Sequence, residues 1–324
     1  MKIIAVVKKR SDFIELQAII NHFNPQHLCL CIFSNKKIEK FSKITLEDLN
    51  KKFLGKVEKL ETFFFEKHIK NGKDICEELN KLITKKSIVV LPLLNGFYFI
   101  EASGILKKNK DVSICHISDG ILDYVPRYKF YFIKRKFNLI NLLKYLIFYI
   151  KLFFYEGDLS FSIWSNYSAF SKKTIRINPN FNYQKETIKR LEPLISKSEE
   201  KKELILLIPS HIIDQNLLIK YFKLENDLDK LIVSTYTGEV IFNNKKYLLN
   251  GPITAEELLQ TNYFHKVYAG PSTAAFYAKK LNPKTKVSMI SNYLQREHWG
   301  SRQDIWLAKE AVKIGINYEY LSRK

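Results

Sequence analysis

At 324 residues the chain is too long for one ordinary domain and fits two of about 150. Hydrophobic residues at 46% and aromatics at 14% supply a core for each half, while only 11 Gly and 9 Pro exclude a fibrous or disordered chain. The net charge of +20 is spread along the sequence without an RRM, zinc-finger or helix-turn-helix pattern. It therefore points to an anionic substrate or an anionic membrane surface at least as well as to a nucleic acid, or simply to solvated lysines.

Met1 to Val7 is a short apolar run cut off by Lys8, Lys9 and Arg10. It reads as a first buried strand and not as a secretory leader. Ser11 is placed to cap a helix in which Phe13, Leu16, Ile19 and Ile20 recur at helical spacing. His27 to Phe33 reads as a second strand, Ile75 to Ile83 as a helix, Ser87 to Pro92 as a third strand and Phe99 to Leu106 as a helix. Val112 to Ile117 is a strand again, ending in Ser118-Asp119-Gly120. Strands alternating with helices imply a parallel sheet whose ligands lie beyond the carboxyl ends of the strands. Cys29, Cys31, Cys76 and Cys115 form no CxxC pair and are expected to be buried, reduced thiols of an intracellular protein.

Phe137 to Tyr155 is almost wholly apolar and aromatic, but Lys144 and Lys151 make it a poor spanning helix. Lys134, Arg135 and Lys136 precede it. The pattern fits an interfacial helix, or equally a helix buried in a core or a dimer interface. Ser171 to Lys202 is polar and is read as the connection between halves, with a helix around Gln184 to Ile195.

The second half restarts the pattern. Glu203 to Ile208 is a strand ending in Pro209-Ser210-His211, and Lys230 to Val233 one ending in Ser234-Thr235-Tyr236. Thr254 and Glu257 form a capping box. Val267 to Gly270 is a short strand leading through Pro271-Ser272-Thr273 into a small-residue helix. That last turn is the sharpest local signal. Free N–H groups, the helix dipole and two hydroxyls make it either an anion site or an ordinary N-cap. Asp119, with Asp123 four residues on, is the best candidate for a general base, although a turn aspartate has the same signature. The seven histidines show no metal-ligand spacing, so no metal is expected. His211, following a strand, is the one singled out for the site.

In order, these pieces resemble the bacterial sialyltransferases of the lipooligosaccharide type and the capsular polysialyltransferases. The resemblance rests on His116-Ile117-Ser118-Asp119-Gly120, on Ser272-Thr273 between strand and helix, on Glu256 sixteen residues before Ser272, and on the opening strand with its Ser11-capped helix. It implies an α/β fold of GT-B type. Two Rossmann-like domains would face a central cleft, residues 1–185 on the acceptor side with the hydrophobic basic helix at about 134–155, and residues 186–324 binding the nucleotide sugar. It implies an inverting, metal-independent transferase with no cofactor, moving a nonulosonic acid from a CMP-sugar to a surface glycan, at the cytoplasmic face of a membrane whose anionic lipids it contacts. Asp119 would act as base, and His211, after the preceding strand, is the candidate to stand in for the family's absent His-Pro histidine without being equivalent to it. Ser272, Thr273, Gly270, Glu256, Ser234, Thr235 and Ser210 would line the nucleotide site, and Ser118, Gly120 and Ser11 the acceptor side. The sequence departs from the family at two places. Ser118 stands where the family carries its first acid, and Ser234-Thr235-Tyr236 stands where a His-Pro pair is expected. A CDP-alcohol phosphotransferase and a non-catalytic polyanion- or membrane-binding protein are the alternatives.

Overall fold

The computed structural model describes residues 1–7, 12–33, 57–65, 71–92, 98–117, 157–162, 171–176, 184–195, 204–210, 212–235, 238–247, 249, 253–261, 263–295 and 301–322, with helical positions 143, 146, 147 and 150. The chain divides into two compact units, one formed by residues 1–127 with 135–179 and the other by residues 128–134 with 180–324.

The first unit holds β1 (Lys2–Val7), α1 (Asp12–Phe23), β2 (His27–Phe33), β3 (Lys59–Phe65), α2 (Gly72–Asn80), β4 (Ser87–Pro92), α3 (Tyr98–Leu106), β5 (Val112–Ile117), β6 (Gly157–Ser162) and β7 (Ser171–Arg176). Its seven strands pair in parallel in the order β3-β2-β1-β4-β5-β6-β7. The first strand of the chain thus stands inside the sheet. Such a strand is covered on both faces, which is why Ile3 to Val7 and Ser87 to Pro92 are buried without alternation. One face is covered by Ile75, Cys76 and Leu79 of α2 and by Phe99, Ala102 and Leu106 of α3, packed on Ile4, Cys29, Val89 and Ile114. α2 starts on a capping box. Asn71 accepts from the amides of Lys73 and Asp74, and Asp74 accepts from the Asn71 amide.

The helices α2 and α3 touch at Gly72. Its amide donates to Glu101 at 2.9 Å, and a Cβ there would stand 2.6 Å from the Ala102 nitrogen and 2.8 Å from the Tyr98 carbonyl oxygen. Backbone cannot yield as a side-chain tip can. Gly72→Ala is expected to lower stability by ~1–3 kcal/mol, seen as a fall in the denaturation midpoint; an unchanged midpoint would show that the two helices slide apart freely.

The second unit holds α4 (Gln184–Ile195), β8 (Leu204–Ile208), α5 (Gln215–Phe222), β9 (Leu231–Ser234), β10 (Val240–Phe242), β11 (Lys245–Tyr247), α6 (Ala255–Leu259), β12 (Phe264–Ala269), α7 (Thr273–Leu281), β13 (Lys286–Asn292), α8 (Ser301–Lys313) and β14 (Asn317–Leu321). The strand order is β11-β10-β9-β8-β12-β13-β14. Five strands are parallel, and β10 runs antiparallel to both β9 and β11. The β10–β11 turn places Asn243 and Asn244 at φ 48° and 57°, the left-handed pair of a type I′ hairpin that asparagine tolerates. Ile205, Leu207, Leu231 and Val233 pack with Leu218 of α5 in one face of this core.

The protein is therefore mixed α/β with two parallel-dominated sheets. Within the polar stretch 171–202, expected as the connection, the second unit resumes at residue 180 and the expected helix is α4, but Ser171–Arg176 is the outermost strand of the first sheet. Its hydroxyls bond within the sheet, Ser171 donating to the Leu159 carbonyl at 3.1 Å and Thr174 meeting Ser160 at 2.9 Å.

Candidate functional site

The second sheet reverses its winding between β8 and β12. From β8 the chain runs to β9 on one side, then returns to β12 on the other. In open α/β sheets the loops leaving two such strands diverge at their carboxyl ends and leave a crevice where ligands bind. The register places Ile208 beside Ala269, so the loops after these two residues start side by side.

Those loops carry the sharpest sequence signals. The Gly270 amide donates to the Ile208 carbonyl at 3.0 Å, extending the pairing by one residue. A Cβ on Gly270 would lie 2.8 Å from both Cβ and Oγ of Ser210 and 3.3 Å from Cβ of Ile213. Glycine is required here by Ser210 and not by an unusual backbone angle. Ser210 closes its own turn, with Oγ accepting from the amides of Ile213 at 2.9 Å and Ile212 at 3.3 Å. Ser272 caps α7, its Oγ accepting from the Ala274 amide at 3.2 Å. Both hydroxyls thus act as acceptors toward the backbone, and neither donates its own proton to a partner among the described residues. They sit half-buried, behind buried Gly270 and Pro271. Behind the helix start, Ala274, Ala275 and Ala278 are buried, which seats α7 close to the sheet.

Ser234 and Thr235 end β9, the other neighbour of β8. Ser234 is buried, and Thr235 donates from Oγ1 to the Glu239 carbonyl at 2.8 Å, so its hydroxyl proton is committed to the loop. Glu256 stands in the first turn of α6, which packs against α7. The capping box of α6 is formed, with Thr254 N–H on the Glu257 carboxylate at 2.8 Å and Glu257 N–H on Thr254 at 3.2 Å. The structure therefore brings together Ser210, Gly270 and Ser272, with Thr273 following, and places Ser234 and Thr235 at the end of the adjoining strand. Ser11, Ser118, Asp119, Gly120 and His211 lie outside the described residues.

One buried polar group of the second unit, between β13 and β14, is not among the residues that the sequence singles out. Asp304 of α8 is fully buried and accepts from Ser291 Oγ at 2.7 Å and from the Tyr318 hydroxyl at 2.5 Å. It ties the end of β13 to α8 and β14. Its place in the first turn of a helix, where acids are favoured, was the available hint.

In the first unit, parallel pairing sets Cys29 opposite Glu61. His27 Nε2 lies 2.6 Å from Glu61 and 3.4 Å from Cys29 Sγ, and Cys29 donates to Glu61 at 3.5 Å. The donor atoms of these three residues lie within 4.8 Å of one another. Lys59 Nζ holds the other Glu61 oxygen at 2.8 Å. That ammonium, with the His27 and Cys29 hydrogen bonds, draws the Glu61 carboxyl down to about 2. The carboxylate thus already has its cationic partner. Burial pushes the Cys29 thiol up to about 11 and Cys76 to about 12, and raises Cys31 and Cys115 as well. All four cysteines are buried free thiols, kept protonated and so poor nucleophiles.

No protein-family model and no curated protein matches the chain. Among solved structures it is similar to the crystal structure of the glycosyl transferase family 9 from Veillonella parvula, at 10% identity and a TM-score of 0.34, with 99% of this chain and 86% of that chain covered.

Proposed function

We propose that the protein is an inverting glycosyltransferase that takes a nonulosonic acid such as sialic acid from its CMP-activated form and passes it to a surface glycan. The observation that carries this reading is the meeting of Ser210, Gly270 and the Ser272-capped start of α7 at the winding reversal of the second sheet. A CMP-sugar carries a single phosphate, and one helix start with two donating hydroxyls matches one phosphate. The resemblance of His116 to Gly120, Glu256 and Ser272-Thr273 to the sialyltransferases supplies the sugar class.

In this mechanism the α7 amides, Ser272 and Thr273 hold the donor phosphate, and Glu256 reaches the ribose. As the sugar leaves, charge grows on the CMP phosphate. Donors already aimed there stabilise that charge without reorganising. Asp119 takes the proton of the attacking acceptor hydroxyl, and direct attack inverts the anomeric carbon. Ser118 stands where related enzymes carry the first acid of the pair, so Asp119 performs this step without a paired carboxylate.

A nucleotide panel read by thermal shift tests the proposal. CMP at a hundredfold excess over its dissociation constant should stabilise by about 2.7 kcal/mol, or roughly 5 °C, and UDP and GDP should not. Gly270→Ala, which pushes on Ser210, should remove the CMP shift. Asp119→Ala should keep it and lose transfer from CMP-sialic acid to a galactoside. A shift with CDP in place of CMP favours a CDP-alcohol phosphotransferase. No shift with any cytidine nucleotide, together with no transfer or donor hydrolysis, ends the proposal.

A further inference from the structure

Four large aliphatic side chains of the 137–155 segment stand in solvent. Leu143, Leu146, Ile147 and Ile150 are helical and 59%, 50%, 46% and 57% exposed. Their spacing of three, one and three residues places them along one stripe of a helix. The stripe is not part of either core, which separates it from the buried-helix reading of the same segment. Scattered exposed leucines are ordinary, but four in one row form a patch that calls for a partner.

The surrounding sequence says which partner. Between Asp123 and Glu156 there are seven basic residues and no acid. Lys134, Arg135 and Lys136 precede the stripe, and Lys144 and Lys151 fall within and just after it. An aliphatic row in an acid-free, basic segment is complementary to a surface that is apolar below and anionic above. A second copy of this chain would bring the same cationic segment against itself, on a protein of net charge +20. A nucleic acid would answer the charge and leave the aliphatic row in water. No described helix is long and apolar enough to cross a membrane.

We propose that Leu143, Leu146, Ile147 and Ile150 form a docking face for an anionic phospholipid bilayer, lying in the interface with the basic residues at the headgroups. The proposal is independent of the transferase reading, since its test measures partition and not activity.

The full chain is floated with vesicles of equal parts phosphatidylglycerol and phosphatidylcholine, with vesicles of phosphatidylcholine alone, and at high salt. Leu146→Glu/Ile150→Glu is run beside the wild type, and both are sized by sedimentation. Both positions are exposed, so the variant should melt as the wild type does. The wild type is expected to float with the anionic vesicles, and the variant to partition at least ~10-fold less. Phosphatidylcholine alone should retain little of either protein. The idea is overturned if the wild type does not float, or if the variant floats equally well, which would leave charge alone as the cause. It is also overturned if the variant converts a dimer to a monomer without any lipid effect, which would make the stripe a self-interface.

Discussion

Gly157→Ala is expected to destabilise the protein by ~3 kcal/mol, at the upper end for overpacking a core. Gly157 opens β6, and a Cβ there would stand 2.3 Å from Cδ2 and 2.7 Å from Nε2 of His116 on the adjoining β5. The imidazole has no room to retreat. It is fully buried, and its Nδ1 lies 3.3 Å from the Leu91 carbonyl across the β4–β5 pairing. Denaturant midpoints check this, and the pair supplies an internal control. In a His116→Ala background the obstructing ring is gone, so Gly157→Ala should then cost far less. Equal penalties in both backgrounds would show that the strain lies in the backbone and not in the ring.

The same histidine should make the fold acid-sensitive. Burial drives the His116 imidazole down from 6.5 to about 4, against the opposing pull of the Leu91 carbonyl and Asp158. The geometry accounts for the direction. With Nδ1–H donating to Leu91, the buried Nε2 has no hydrogen-bond partner among the described residues. Protonation would place an N–H there with nothing to receive it. The unfolded chain takes up a proton below about 6.5 and the folded chain does not until about 4. Stability from this group is therefore complete above pH 6.5 and is lost as pH falls toward 4, by roughly 3 kcal/mol. Glu61 acts later, because its depressed carboxyl stabilises above its unfolded value and is lost as pH falls toward 2. Stability measured from pH 7.5 to 4.5 should decline in the wild type and decline less in His116→Gln. The slope is the readout, since glutamine changes the absolute level. Parallel slopes would assign the acid effect to other groups.

The legible part of this fold is its interior. β1, β2, β4, β8 and β9 are short runs of mainly apolar residues buried at nearly every described position, and a run of that kind identifies itself. Lys59–Phe65, Ser171–Arg176 and Asn317–Leu321 lie at sheet edges, where every residue except Ser171 is at least partly exposed, and Ser171–Arg176 carries three cations in six positions. Pairing makes them strands, and pairing is a property of the neighbour. At the candidate site, the hydroxyls and glycine of residues 270–273 were readable because a strand-to-helix turn is local. What makes Gly270 necessary is Ser210, some sixty residues earlier in the chain, and the encounter of Cys29 with Glu61 likewise exists only through register. Asp304 fell outside the reading because an acid in a first helical turn normally faces solvent. Here Ser291 and Tyr318 supply the donors that let it be buried.

The position of β1 inside the first sheet bears on how the chain leaves the ribosome. β1 is made first and can pair with β2 early, but its other neighbour begins only at Ser87. At ~5–20 residues per second, one apolar edge of a finished strand waits on the order of ten seconds for its partner. β8 repeats the delay, since Phe264 opens the strand that completes its second side. In each unit a strongly apolar strand, β1 in the first and β8 in the second, is thus left with one unpaired edge while the intervening chain is made.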